Sequence, residues 1–232
     1  MGYILVRLLY LNKKKNYSYK KLFSWDKQAA AAFGRPPMIR LRDCDVSEPL
    51  DIDDHYLSDD INLKSFQPPN LNSRLKPFIH TIRLHVVLEH VLDGCNPPAV
   101  FPSSSFLTKA AAVGQGQALE IAEELLSEWK EELPPYLKYT HETATSDDAF
   151  RLTQAERIHC LEQLTCMLVY RHRFSTSSIA AEQLSELDQV DESGIDASRK
   201  HYQYLAQQSA LTIIAAHSHI ARRKLLTHYG VQ

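Results

Sequence analysis

Apolar side chains recur three and four residues apart through residues 115–133. They are Leu119, Ala122, Leu126, Trp129 and Leu133, with Glu120, Glu123, Glu124, Glu128, Glu131 and Glu132 between them. That spacing is the period of a helix with one buried face and one wetted face. No stretch alternates apolar and polar residues convincingly as a half-buried strand would. With seven glycines in 232 residues, the chain also has few of the turns that a sheet protein needs. The expected fold is all-α, an irregular multi-helix array with long loops.

Glycine and proline punctuate the rest. A helix is expected over residues 18–33, stopped by Gly34 at its C′ position and by Pro36 and Pro37 beyond it. Pro77 sits in the first turn of a second helix, where a missing N–H costs little. That helix carries Ile79, Ile82 and Val86 on one face and Leu84, Leu88, Val91 and Cys95 on another, so it is expected to be largely buried. Pro134 and Pro135 end the helix over 115–133. Thr153 and Glu156 have the spacing of a capping box before Ile158, Leu161, Leu164 and Leu168. This helix is read as ending near Arg173, where Arg171, His172 and Arg173 suit its negative end. Residues 175–197 are polar, acidic and serine-rich, and read as a mobile connection with room for a short helix. Ser198 then caps a last helix with the stripe Tyr202, Leu205, Ser209, Ile213, Ala216 and Ile220, and Gly230 fits its C′ position. The domain reading is an N-terminal tail of uncertain role over 1–17 and a single helical domain over 18–232.

The charge and cysteine content exclude several classes. A net charge of -2 argues against a surface that tracks nucleic acid throughout. Cys44, Cys95, Cys160 and Cys166 form no C-x-x-C pair and read as reduced thiols. No apolar run reaches the roughly 18 residues of a membrane helix, so no membrane partner is expected. The opening segment does not read as a secretory leader, because Arg7 interrupts its apolar stretch and Lys13, Lys14 and Lys15 follow it; it reads as a helix fragment or as a start outside the folded domain.

A search for chemistry finds no constellation. Residues 43–60 hold Asp43, Asp45, Glu48, Asp51, Asp53, Asp54, Asp59 and Asp60. Counted from Asp51, Tyr56 stands where an EF-hand needs glycine and Asn62 where it needs glutamate, so the strip reads as a solvated loop. His141 and Glu142 begin a zinc-helix pattern that Thr145 breaks. His217 and His219, two apart on a helix, point to different sides. His159 beside Cys160 is no nucleophile pair by adjacency. Gly114 and Gly116 before a helix lack the strand and lysine of a phosphate loop. No catalytic, cofactor-binding or metal residue is assigned, no cofactor is expected in this chain, and the protein is not expected to be an enzyme.

One segment carries a resemblance. "KKLFSWDKQAAAAFGRPPMIRLRDCDVSEPLDIDDHYL" resembles the fungal-specific, xylanolytic-activator-type regulatory domain of binuclear zinc-cluster transcription factors. Phe23 and Trp25 supply the aromatics, and Asp26 with Lys27 stands where that family has Asp-Arg. Gly34, Arg35 and Pro36 follow at the family's distance, and Asp43, Asp45, Asp53 and Asp54 match its acidic segment. The resemblance is good over residues 20–95 and looser beyond 115. It implies a nuclear, non-enzymatic region of a transcription regulator, a fragment whose parent binds DNA and zinc through a six-cysteine cluster absent from this sequence. The partners it implies are DNA through that cluster alone, a homodimer or the transcription machinery, and a small-molecule inducer. A helical small-molecule sensor or an interaction scaffold without DNA contact is the alternative. From the residues alone, the Arg35 guanidinium is expected to reach Asp26 or an aspartate of the strip and pin the loop to the helices.

Overall fold

A computed structural model describes the backbone of residues 2–45, 47–53, 56, 67–68, 71–95, 104–105, 117–185 and 192–225. Side chains are described for these except 2–17 and 177–195. The described residues form six α-helices and no strand: α1 (Gly2–Phe33), α2 (Lys76–Cys95), α3 (Ala118–Glu132), α4 (His141–Ala144), α5 (Ala149–Ser185) and α6 (Glu192–Arg222). Short 3-10 turns occupy Leu41–Asp43 and Pro135–Leu137. The chain is therefore all-α. It divides into two compact units, Met1–Glu89 and His90–Gln232, where the sequence suggested one domain over 18–232.

In the first unit, α1 ends as the sequence predicts. Gly34 takes φ +62°, and the Arg35 N–H bonds the Ala30 carbonyl at 3.0 Å. This is a left-handed closure that a Cβ would oppose. α1 begins at Gly2, so the expected tail over 1–17 continues the helix rather than preceding it. Of the two expected faces of α2, Val86 and Cys95 are half-buried, whereas Ile79, Ile82, Leu84, Leu88 and Val91, with the neighbouring Val87, are all inside. So are His85 and Glu89, two polar residues in an apolar helix. α1 keeps an apolar stripe outside, with Leu22, Trp25 and Phe33 exposed and Trp25 at 69 %.

The second unit is built on α5 and α6, which pack along one another. Cys160 meets His217 and Phe174 meets Arg199, so the two helices run antiparallel. The predicted stripe of α3 is wholly buried, with Trp129 3 % exposed. Arg173 of α5 grips Glu123 of α3 through two nitrogens at 2.6 and 3.3 Å, and Lys130 reaches Glu162 at 3.2 Å. Ser209, Ala216 and Ile220 of the predicted α6 stripe are buried.

Both ends of α5 and both ends of α6 differ from the sequence reading. α5 begins at Ala149, where the Asp148 carboxylate accepts the Arg151 N–H at 3.0 Å. Asp148 therefore caps the helix, and Thr153 and Glu156 lie inside it with no capping role. α5 also runs past Arg173 to Ser185, and α6 starts at Glu192. Residues 175–185 and 192–197 of the expected connection are thus helical. The Ser175 and Thr176 hydroxyls fold back onto the Arg171 and His172 carbonyls, and Ala180, Ala181, Glu182 and Leu184 are good helix formers. α6 ends at Arg222, with Lys224 left-handed at φ +57°. The Leu225 N–H reaches Ile220 O at 3.2 Å and the Lys224 N–H reaches Ala221 O at 3.0 Å. Lys224 thus fills the C′ position expected of Gly230, which lies outside the described residues. Because an L side chain in this conformation costs about 1–2 kcal/mol, Lys224→Gly is expected to stabilise the chain by about 1 kcal/mol in urea unfolding.

Candidate functional site

The Gly-Arg-Pro segment works through its distance from Asp26. Eight helical residues from Asp26 to Gly34 rise about 12 Å. Gly34 reverses the chain, and the four following residues, if extended, return about 13 Å. Pro36 and Pro37 have no N–H to offer. The first free donors beyond them are Met38 and Ile39, and both bond the Asp26 carboxylate at 3.0 Å.

Beside it, Lys27 is completely buried. Its ammonium contacts Asp26 at 3.1 Å, Glu89 of α2 at 3.0 Å and the Ile39 carbonyl, and it lies 4.3 Å from the centre of the buried Phe23 ring. Glu89 also accepts the Leu41 N–H through both oxygens, at 3.1 and 3.2 Å. One cation, two carboxylates and three backbone N–H groups therefore tie α1, the returning loop and α2 together. Burial, the largest influence on Asp26, opposes its ionisation. The Ile39 and Met38 N–H bonds and Lys27 together outweigh it and hold the carboxyl below its usual range. The neighbouring His85 is pushed down to about 4, first by burial and also by the Lys27 charge, against the bond from its Nδ1–H to Thr81 O. It is neutral, with Nε2 accepting from the Gln28 amide at 3.2 Å.

The acidic strip is tied down where it is described. Glu48 holds Arg83 in a two-pronged pair at 2.9 Å, Asp51 meets Lys76 at 2.6 Å, and Asp53 accepts the Arg74 N–H at 2.8 Å. The described part of the strip is an exposed loop, as expected, and these contacts also fasten it to α2 and its leading turn. Of the motif residues, Phe23, Asp26, Gly34 and Asp53 join this framework. Trp25, Arg35, Pro36, Asp43 and Asp45 are exposed, and Asp54 lies outside the described residues. Among the described residues no ion pair joins Arg35 to a carboxylate; its backbone N–H closes α1 while Asp26 holds the loop. Lys27 entered the sequence reading only as the residue after Asp26. Glu89 and His85 were missed, and their signal was polar residues on the buried faces of α2.

The second unit assembles a group that sequence reasoning did not find. Glu156 and Cys160, four apart on α5, share one face, and His217 of α6 meets both. His217 Nδ1 lies 3.0 Å from Glu156 Oε1 and 3.3 Å from Cys160 Sγ, and the sulfur lies 3.2 Å from the same oxygen. The Glu156 side chain is completely buried while His217 is 51 % exposed. Among the described residues, Glu156 Oε2 has no hydrogen-bond partner. His219 turns elsewhere, bonding the Tyr139 hydroxyl at 2.9 Å, while Tyr139 stacks on His159 at 5.2 Å. Burial, then the Glu156 charge, pushes the Cys160 thiol up, and burial raises the Glu156 carboxyl. A catalytic triad needs nucleophile and orienting acid on opposite ring nitrogens. Here both meet Nδ1, so the group has no relay. Comparison with family models, curated proteins and solved structures returned no match to this chain.

Proposed function

We propose that this chain is the helical regulatory region of a nuclear transcription regulator whose parent reads DNA through a zinc cluster lying outside this sequence. The observation that carries the reading is the Asp26 clamp. The distance between Asp26 and Gly-Arg-Pro, on which the resemblance rests, is the distance at which α1 can catch the returning chain. A motif with that physical purpose marks a shape-holding helical region, and it needs no reactive centre. The exposed stripe of Leu22, Trp25 and Phe33 offers such a region a face for the transcription machinery or a second copy.

Tethered to a heterologous DNA-binding module in fungal nuclei, the full chain is expected to change reporter transcription several-fold. Asp26→Ala should return output to that of the module alone. Equal output from the module with and without the chain would overturn the reading. The alternative, a small-molecule sensor, draws on an open cleft of about 610 Å³ in the second unit, walled by Tyr136, Lys138, Glu142, Thr143 and Arg151. A saturable thermal shift with a metabolite, alongside a silent reporter, would favour it.

A further inference from the structure

We propose that Glu156, Cys160 and His217 form a binding site for one transition-metal ion of the zinc class, clipping α5 to α6 and leaving one coordination position open to solvent. The proposal goes beyond the transcriptional reading and does not depend on it.

Geometry comes first. Tetrahedral zinc with bonds of about 2.0–2.3 Å separates its donor atoms by about 3.3–3.6 Å. The donors here stand 3.0, 3.2 and 3.3 Å apart, so a few tenths of an ångström of spreading admits the ion. The helices already supply the layout: a four-residue step on α5 gives two ligands, and antiparallel α6 brings the third.

Donor chemistry selects the metal. One thiolate, one imidazole and one carboxylate suit zinc, cobalt or nickel, whereas calcium and magnesium need several oxygens. Charge supplies the independent argument. Glu156 is buried completely and one of its oxygens has no partner among the described residues, which is costly for a carboxylate. A divalent ion balanced by carboxylate and thiolate leaves no net charge, and it gives Glu156 Oε1 a direct cation where its contacts are now imidazole and thiol. The half-exposed position of His217 provides a route in and a place for water as fourth ligand.

The test uses the full chain under a non-chelating reductant. Cobalt(II) titration should give one equivalent of binding with a thiolate-to-cobalt charge-transfer band that zinc abolishes. Cys160→Ser should remove the band, and Cys166→Ser should keep it. His217→Ala, at an exposed position that leaves the core intact, should weaken binding about tenfold or more. Zinc at 100 times its dissociation constant should raise the melting temperature by about 5–10 °C. No band and no thermal shift in the parent chain would overturn the proposal. So would a band that persists in both Cys160→Ser and His217→Ala.

Discussion

Lys27→Met is expected to destabilise the chain by about 3–5 kcal/mol, because it strands two carboxylates that one buried ammonium now serves. Methionine fills most of the lysine volume, so little of the loss comes from a cavity. It comes from Glu89, which is nearly buried, and from Asp26, which would hold the Met38 and Ile39 N–H groups without a counter-charge. The contact with the Phe23 ring is lost as well. Urea unfolding of the full chain, followed by far-ultraviolet dichroism, measures the change. Adding Glu89→Leu to Lys27→Met should recover part of the loss, since the second substitution removes one stranded charge. A single-substitution loss below about 1 kcal/mol would show that water already screens the cluster.

The second large effect is acid sensitivity centred on His85. Above about pH 6.5 the imidazole is neutral whether the chain is folded or unfolded. Below it, the unfolded chain takes a proton that the buried site refuses until about pH 4. The unfolded state binds more protons across this window, so stability falls as pH falls. The loss accumulates to about 3 kcal/mol between pH 6.5 and 4. Two neighbours of His85 sharpen the effect: Lys27 repels a second positive charge, and Gln28 already donates to Nε2. The Nδ1–H bond to Thr81 O works the other way and offsets part of it. His85→Gln should flatten the profile in this window, as read from urea midpoints at several pH values. Parallel profiles for the two proteins would refute the assignment. Asp26 contributes lower on the scale. Its carboxyl is depressed, so its stabilisation is present above about pH 4, its unfolded value, and is lost as acid protonates the folded group.

What the sequence made legible follows the range of the physics. The α3 stripe and the Gly34 stop depend on neighbours within one or two turns, and both stand as read. The buried faces of α2 were plain from its apolar residues. The capping box was not secure, because Thr-x-x-Glu looks the same at the start of a helix and inside one; Asp148, five residues earlier, decides the matter in space. Arg171, His172 and Arg173 suggested a helix end for the same reason, whereas Arg173 is spent on Glu120 and Glu123 of α3. The Asp26 clamp was half visible. Its spacing could be counted, but the donors are backbone N–H groups, which every residue except proline possesses and which leave no mark in composition. Glu156, Cys160 and His217 were least accessible, since 57 residues separate the thiol from the imidazole and only the pairing of α5 with α6 brings them together.

The chain has two tryptophans, one in each compact unit, and their surroundings are opposite. Trp25 stands in water, while Trp129 is enclosed on α3. Native emission should therefore contain a red component that iodide quenches and a blue component that it does not reach. Loss of the blue component reports the opening of the second unit alone, with no label attached. Trp25→Phe would leave a single-colour optical readout of that event.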